Sequence, residues 1–306
     1  MGKIALVFSG QGAQTPGMGL DLYNTVPAAK AVFDQLSAIR SDIKELCFNS
    51  TKEELTVTSN TQPALFAVES AAAAALSEAG IKVDAAAGFS LGEITALAYS
   101  RVLPLEEAFS LVCERGRLMQ EASSKVDSAM TAVLKLPKEQ VEELAAGFEN
   151  VYPVNYNCPG QVVVSGLASS LAPFEEAVKA AGGRAMRLAV AGAFHSPFMK
   201  EAADAFAKVL AQHSFAKPEI PLYSNVTGEV YPEDILPVLS RQISSPVQWE
   251  KTIRGMLDSG IDTFIESGPG ATLSGLIRKT DSGAKLYSIA TAEGLEETVR
   301  ALSQEN

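Results

Sequence analysis

The 306-residue sequence predicts an α/β fold: a mostly parallel sheet in a discontinuous large domain, interrupted by a small inserted domain of β-α-β-β-α-β order. Three observations predict it. Strand-like apolar runs alternate with helix-period segments at both ends of the chain, which calls for parallel strands joined by helices. Gly88-Phe89-Ser90-Leu91-Gly92 places a Gly-x-Ser-x-Gly turn between one such run and one such helix. Between about Ser128 and Ala191 the rhythm changes and two strands follow each other without a helix, as in a split ferredoxin-like unit.

Taken in order, the first strand is Met1-Gly2-Lys3-Ile4-Ala5-Leu6-Val7-Phe8, which runs into the Gly-rich turn Ser9 to Gly17. Helical patterns follow at Ala28 to Ala38 and Ala64 to Gly80, where Ala71 to Ala75 read as a buried helix face. Ala85-Ala86-Ala87 lead into the Gly-x-Ser-x-Gly turn, with helices expected at Ile94 to Tyr99 and Leu105 to Glu121. The insert reads as strand Ala129–Leu134, helix Lys138–Ala146, strands Val151–Tyr156 and Val162–Ser165, helix Ala172–Ala181 and strand Ala185–Val190. The βα pattern resumes with Pro221–Ser224, Trp249–Ser259, Thr263–Glu266 and Leu286–Ile289. The large domain is therefore expected over 1–126 plus 193–306 and the insert over 127–192. That puts Ser90 in the large domain and His195 at the returning hinge, beside an interdomain cleft of the kind that holds ligands.

Composition narrows the function. A net charge of −11 argues against nucleic acid or an anionic membrane as partner. The longest apolar candidate, Ala64 to Leu76, is interrupted by Glu69 and Ser70, short of the roughly 18 residues a membrane helix needs. The N-terminus lacks a signal-peptide cleavage pattern, so a cytoplasmic location is expected. Cys47, Cys113 and Cys158 are widely spaced, which fits reduced thiols and offers neither a disulfide framework nor a metal site.

Ser90 is the candidate nucleophile, because a glycine-flanked strand-to-helix turn lifts a serine hydroxyl above the sheet against the start of a helix. Such a serine needs a base. The chain has two histidines. His195 lies in the loop Gly192-Ala193-Phe194-His195-Ser196-Pro197 and is the candidate base, whereas His213, after the amphipathic segment Phe198 to Gln212, reads as a structural residue at a helix C-terminus. Alone, the Gly-x-Ser-x-Gly sequence equally fits a turn that packs a helix on a sheet. Ser90 followed by His195 favours a catalytic pair.

Further motifs occur in register along nearly the whole chain: Phe8-Ser9-Gly10-Gln11-Gly12-Ala13-Gln14, Gly88 to Glu93, Arg115-Gly116-Arg117-Leu118-Met119-Gln120, Asn157-Cys158-Pro159-Gly160-Gln161-Val162, Phe194-His195-Ser196-Pro197, Pro246-Val247-Gln248-Trp249 and Glu266-Ser267-Gly268-Pro269-Gly270. On these the sequence resembles the malonyl-CoA:acyl carrier protein transacylases. The resemblance implies a hydrolase-like α/β large domain with a ferredoxin-like insert, and acyl transfer from malonyl-CoA to acyl carrier protein through a serine ester. It implies no metal or redox cofactor. Ser90 and His195 become nucleophile and base, and the backbone amides of Gln11 and Leu91 the oxyanion donors. Arg115 becomes the residue that grips the malonyl carboxylate, and the backbone carbonyl of Gln248 the group that orients the histidine. Ala193-Phe194-His195 matches a tripeptide that accompanies malonyl preference in related acyltransferases. The chain departs from the family at Phe89, where histidine is common. Its acidity calls for segregated basic residues toward an acidic carrier protein, with Lys179, Arg184, Arg187, Lys200, Lys208, Arg278 and Lys279 as candidates. An acyltransferase serving polyketide synthesis, or a thioesterase or esterase using the same pair with water as acceptor, is the alternative.

Overall fold

The computed structural model describes residues 2–190 and 192–304; Met1 of the expected first strand and Ala191 lie outside them. The large part of the chain begins with β1 (Lys3–Phe8), four helices α1 to α4 (Leu20–Thr25, Pro27–Ser37, Ile43–Phe48, Lys52–Thr56) and the long α5 (Thr58–Glu78). Then come β2 (Ala85–Gly88), α6 (Leu91–Tyr99) and α7 (Leu105–Ser124). The insert holds β3 (Ser128–Leu134), α8 (Lys138–Ala146), β4 (Val151–Cys158), β5 (Gln161–Leu167), α9 (Ala168–Ala180) and β6 (Arg184–Arg187). After it follow α10 (Lys200–Leu210), β7 (Leu222–Tyr223), α11 (Leu236–Leu239), α12 (Trp249–Asp258), β8 (Ile261–Ser267), α13 (Thr272–Thr280), β9 (Lys285–Ser288) and α14 (Ala292–Gln304).

The strands form two sheets, and both match the expected class. The first has the order β7-β2-β1-β8-β9 and is parallel throughout. Period-two alternation explains why it is covered on both faces. Ile4, Leu6 and Phe8 join the large cluster built on α5 and its neighbours, while Ala5 and Val7 join a second one with Trp249, Ile253 and Phe264. The second sheet, β4-β5-β3-β6, is antiparallel, as a ferredoxin-like insert requires. Its own core contains Val133, Val164, Leu171 and Phe174. Val247 ties the two parts together: its N–H donates to Val154 O at 2.8 Å and its carbonyl accepts from Tyr156 N at 2.9 Å.

Helices α1, α3, α4, α11, α13 and α14 are additions to the sequence reading and α9 begins at Ala168 rather than Ala172, while two further departures have a direct physical reason. The helix expected from Ala64 begins six residues earlier, at Thr58, and carries Pro63 inside it. Proline at 63 removes the N–H that would bond the carbonyl of residue 59. The Arg40 guanidinium donates to that carbonyl instead, Nη1 to Ser59 O at 2.8 Å, so the extra turns survive. The last strand of the insert stops at Arg187 rather than Val190, because Leu188 and Val190 turn away to line a small cavity beside Ser90. Among the described residues no helix is long and apolar enough to cross a membrane.

Phe174 is wholly buried in the insert's separate core. Phe174→Ala is expected to cost about 3–5 kcal/mol in chemical denaturation; a loss under about 1 kcal/mol would show that this core does not hold the insert together.

Candidate active site

The carboxyl ends of parallel strands are where an open α/β sheet presents its ligand-binding turns. β1 delivers Gln11 there, β2 delivers Ser90 and β7 delivers Asn225. The backbone at Ser90 is left-handed, φ 55°, the strained turn of a nucleophile elbow. Its glycines are sterically required: a Cβ on Gly88 would lie 1.8 Å from the Gly92 carbonyl carbon, and one on Gly92 would lie 2.3 Å from Phe8 O.

Carboxamides on both sides hold this turn. Asn225 Oδ1 accepts from Ser90 N at 2.6 Å while its Nδ2 donates to Gly88 O at 2.6 Å. Gln242 Nε2 donates to Ser90 O at 2.6 Å and to Glu93 Oε2 at 2.7 Å. Glu93 Oε1 accepts from Asn225 N and from the Tyr231 hydroxyl, at 2.9 and 2.7 Å. Burial pushes the Glu93 carboxyl up to about 7, although these donors and the Arg115 charge favour its ionised form.

His195 lies on the Ser90 hydroxyl, Nε2 to Oγ at 2.7 Å. It too is left-handed, φ 61°, and its loop is tethered by its own N–H to Ile243 O and by Ser165 Oγ to Phe194 O. The carbonyls of Gln242 and Ser245 face its Nδ1 at 3.0 and 3.1 Å, so the proton is placed on Nδ1 and Nε2 is free to accept from the serine. The expectation for Gln248 is therefore corrected. Gln248 caps α12, its carbonyl accepts from Thr252 N, and its N–H donates to Asn225 O, which leaves Gln242, six residues earlier, to face the histidine. Burial, with the Arg115 charge adding to it, lowers His195 to about 4.

Arg115 projects from α7 into the same site and is fully buried. Its Nη1 donates to Gln62 Oε1 at 2.7 Å, and its Nη2 donates to Gln242 Oε1 at 2.8 Å and to Ser90 Oγ at 3.1 Å. Gly116 beside it permits the close crossing of α5 that brings Gln62 within reach: a Cβ there would meet Thr58 O at 3.1 Å. Arg115 Nε is buried without a partner. Burial lowers the guanidinium to about 10, still charged at neutral pH. Arg117, in contrast, is half exposed and pairs with Glu114 and Glu121.

The backbone amide of Leu91 lies in the first turn of α6, where N–H groups have no intrahelical acceptor. Gln11, Leu91, Ser90, His195 and Phe194 line one cavity of about 70 Å³, and Gln11 and Phe89 also line a neighbouring cavity of about 220 Å³ that runs past Asn155 and Asn157 to Gln161. The Phe89 ring meets Trp249 edge-on at 5.5 Å, so the position gives an apolar wall shared by both cavities. A larger cavity of about 400 Å³ touches neither Ser90 nor His195. His213 sits apart on Glu107, Nδ1 to Oε2 at 3.0 Å, in keeping with its structural reading. Among the described residues no three His, Cys, Asp or Glu side chains are grouped to hold a metal ion.

Sequence reasoning missed Gln62, Asn225 and Gln242. Asn225 had a usable signal, since it directly follows a predicted strand of the parallel sheet. Gln62 was hidden by Pro63, which argued against helix at that point, and Gln242 lies in no motif.

A serine on such an elbow with a histidine on its hydroxyl defines a class of α/β proteins that form acyl-serine intermediates. Within that class, the family model described as acyl transferase domain matches residues 5–299. The chain belongs to the malonyl CoA-acyl carrier protein transacylase family. It is 38% identical to the Bacillus subtilis (strain 168) malonyl CoA-acyl carrier protein transacylase, over 100% of this chain and 99% of that one. The crystal structure of the corresponding Clostridium perfringens protein superimposes with a TM-score of 0.95 at 37% identity, covering 99% of this chain and 98% of that one. A malonyl-transacylase in complex with its type II PKS acyl-carrier protein superimposes with a TM-score of 0.93 at 35% identity, covering 98% and 99%.

A neutral buried imidazole gives a pH prediction. Labelling of Ser90 by a fluorophosphonate should hold its rate through mildly acidic pH and fall only as His195 protonates near about 4. A midpoint near the ordinary 6.5 would contradict the buried environment seen here.

Proposed function

We propose that the protein moves a malonyl group from malonyl-CoA to the phosphopantetheine thiol of acyl carrier protein, supplying fatty acid synthesis, by a ping-pong reaction through a Ser90 ester. The observation that carries this reading is a fully buried guanidinium, Arg115, hydrogen-bonded to the nucleophile itself. A buried cation with an unpartnered N–H, beside a serine that takes acyl groups, suits an acyl chain that ends in a carboxylate.

In the first half-reaction His195 Nε2 takes the Ser90 proton as Oγ attacks the thioester carbonyl. The amides of Gln11 and Leu91 receive the oxyanion, and His195 returns the proton to the departing coenzyme A thiol. In the second half-reaction the carrier thiol gives its proton to His195 and attacks the serine ester, and Ser90 is regenerated. Gln242, rather than Gln248, holds the imidazole through its carbonyl. Because that partner is uncharged, the imidazolium is stabilised less than beside a carboxylate, which suits an activated thioester. The reaction so written calls on no metal or redox cofactor.

Residues 1–126 and 193–306 serve as the catalytic domain in this reading, and 127–192 as the insert that walls the site through Asn155 and Leu188. The cavity between Gln11 and Gln161 has the place a pantetheine arm needs, next to the acyl cavity. Lys279 reaches Gln161 at its rim, whereas Lys179, Arg187 and Lys200 are each paired with a neighbouring acid. An acidic carrier is therefore steered by the candidates outside those ion pairs, Arg184, Lys208, Arg278 and Lys279, with Lys279 at the rim of this cavity. We place the protein in the cytoplasm with the other enzymes of that synthesis.

Two measurements test the function. Intact mass after incubation with malonyl-CoA should show a malonyl adduct that Ser90→Ala abolishes, and that decays slowly in water but rapidly on adding carrier protein. Equal decay with and without carrier would make the protein a hydrolase. Arg115→Ala should lower the ratio of malonyl to acetyl acylation rates at least ~100-fold, since two charge-assisted hydrogen bonds are lost. Arg117→Ala, on the solvent side of α7, should leave that ratio unchanged. A ratio unaltered in Arg115→Ala sinks the carboxylate role.

A further inference from the structure

Glu93 is wholly buried, follows Ser90 by three residues and touches neither reacting group, yet its carboxylate accepts from both segments that hold the elbow. Its consequence lies in the direction of each bond. A carboxylate only accepts, so Gln242 must present its NH2 end to Glu93. That same NH2 donates to Ser90 O, and the carboxamide oxygen is thereby left facing Arg115 Nη2. Reversed, the carboxamide would set oxygen against Ser90 O and an NH2 against a guanidinium. We propose that Glu93 is a positioning residue for acyl-group selectivity: its carboxylate fixes the orientation of the Gln242 carboxamide, which in turn holds the Arg115 guanidinium where a malonyl carboxylate meets it. The inference rests on the assignment of Arg115 as the carboxylate partner.

The chain of directions makes an isosteric substitution informative. In Glu93→Gln one end of the new side chain is a donor. Turned toward Gln242, it meets the Nε2 group; turned toward Asn225, it meets a backbone N–H. One buried donor pair is unavoidable unless the Gln242 carboxamide flips, and the flip withdraws the acceptor from Arg115. A glutamate that served only to fill and stabilise the core would, when replaced, slow all acyl groups alike.

The test is acylation of Ser90 by malonyl-CoA and acetyl-CoA, in weakly alkaline buffer, for the parent, Glu93→Gln, Arg115→Ala and the double variant. Glu93→Gln should lower the malonyl-to-acetyl ratio about tenfold, the factor for one charge-assisted hydrogen bond. In the Arg115→Ala background the same change should move the ratio no further, because the effect travels through Arg115. Should Glu93→Gln not fold, Gln242→Leu carries the same expectation, a reduced ratio that vanishes in the Arg115→Ala background. A ratio unchanged in the folded variant, or a drop that persists without Arg115, overturns the proposal. If Arg115→Ala itself leaves the ratio unchanged, the assignment of Arg115 fails first, and the two failures are distinguished.

Discussion

The strained left-handed backbone at Ser90 is the constraint on which the rest of the site depends. A non-glycine residue there stores energy on the order of 1–3 kcal/mol, and it persists only if its surroundings over-determine it. Asn225 grips the turn from the β7 side, bonding Ser90 N and Gly88 O with one carboxamide. Gln242 grips it from the other side through Ser90 O. Both segments lie far along the chain from the elbow, at sequence separations of 135 and 152, and meet on Glu93, so the elbow is locked only once the chain after the insert has returned to the sheet.

That return also explains why Ser90 and His195 are brought together. The stretch that supplies Gln242 binds the His195 backbone through Ile243 O, faces the imidazole through two carbonyls, and runs on to Val247, which bonds β4 of the insert. One segment therefore orients His195, clamps the elbow and anchors the second sheet. The Pro246-Val247-Gln248-Trp249 motif belongs to this anchoring role: Val247 bridges to β4, and Trp249 is buried under the sheet beside Phe89. Glu266 in the motif before α13 is likewise structural, since its carboxylate accepts from the amides of Leu273 and Ser274 at that helix's start.

Much of this was legible in the sequence, and the boundary between what was and was not has a physical cause. The parallel sheet, the insert and the Ser90 turn follow from local periodicity and glycine placement, which single residues report directly. His195 could be found because the chain has so few histidines. Gln242 could not, because its role depends on two through-space relations, a carbonyl facing His195 and a side chain between Ser90 and Arg115. Neither leaves a periodic trace. The assignment to Gln248, implied by the resemblance through the Pro246-Val247-Gln248-Trp249 motif, erred because the carbonyls that face the histidine belong to Gln242 and Ser245, just before that motif. The helix start at Thr58 leaves no clear sequence signal because a proline ordinarily disfavours helix at the preceding residues, while the carbonyl Pro63 strands is satisfied by Arg40 from a different helix connection.

The partners of Arg115 leave its buried charge uncancelled, which is what the proposed malonyl selectivity draws on. A buried cation is ordinarily neutralised by a carboxylate in direct contact, and such a pair would compete with any substrate carboxylate for the same fork. Here the direct partners are the carboxamides of Gln62 and Gln242, which satisfy hydrogen bonds without cancelling charge. The compensating carboxylate, Glu93, stands one residue further off, behind Gln242. At that remove it supports the guanidinium's charge and fixes its neighbour's orientation while leaving the fork's charge uncancelled. In the proposed reaction an acyl group ending in a carboxylate would complete the arrangement. In the same reaction an acyl group ending in a methyl would leave that buried charge facing hydrocarbon, so electrostatics rather than steric exclusion would disfavour it.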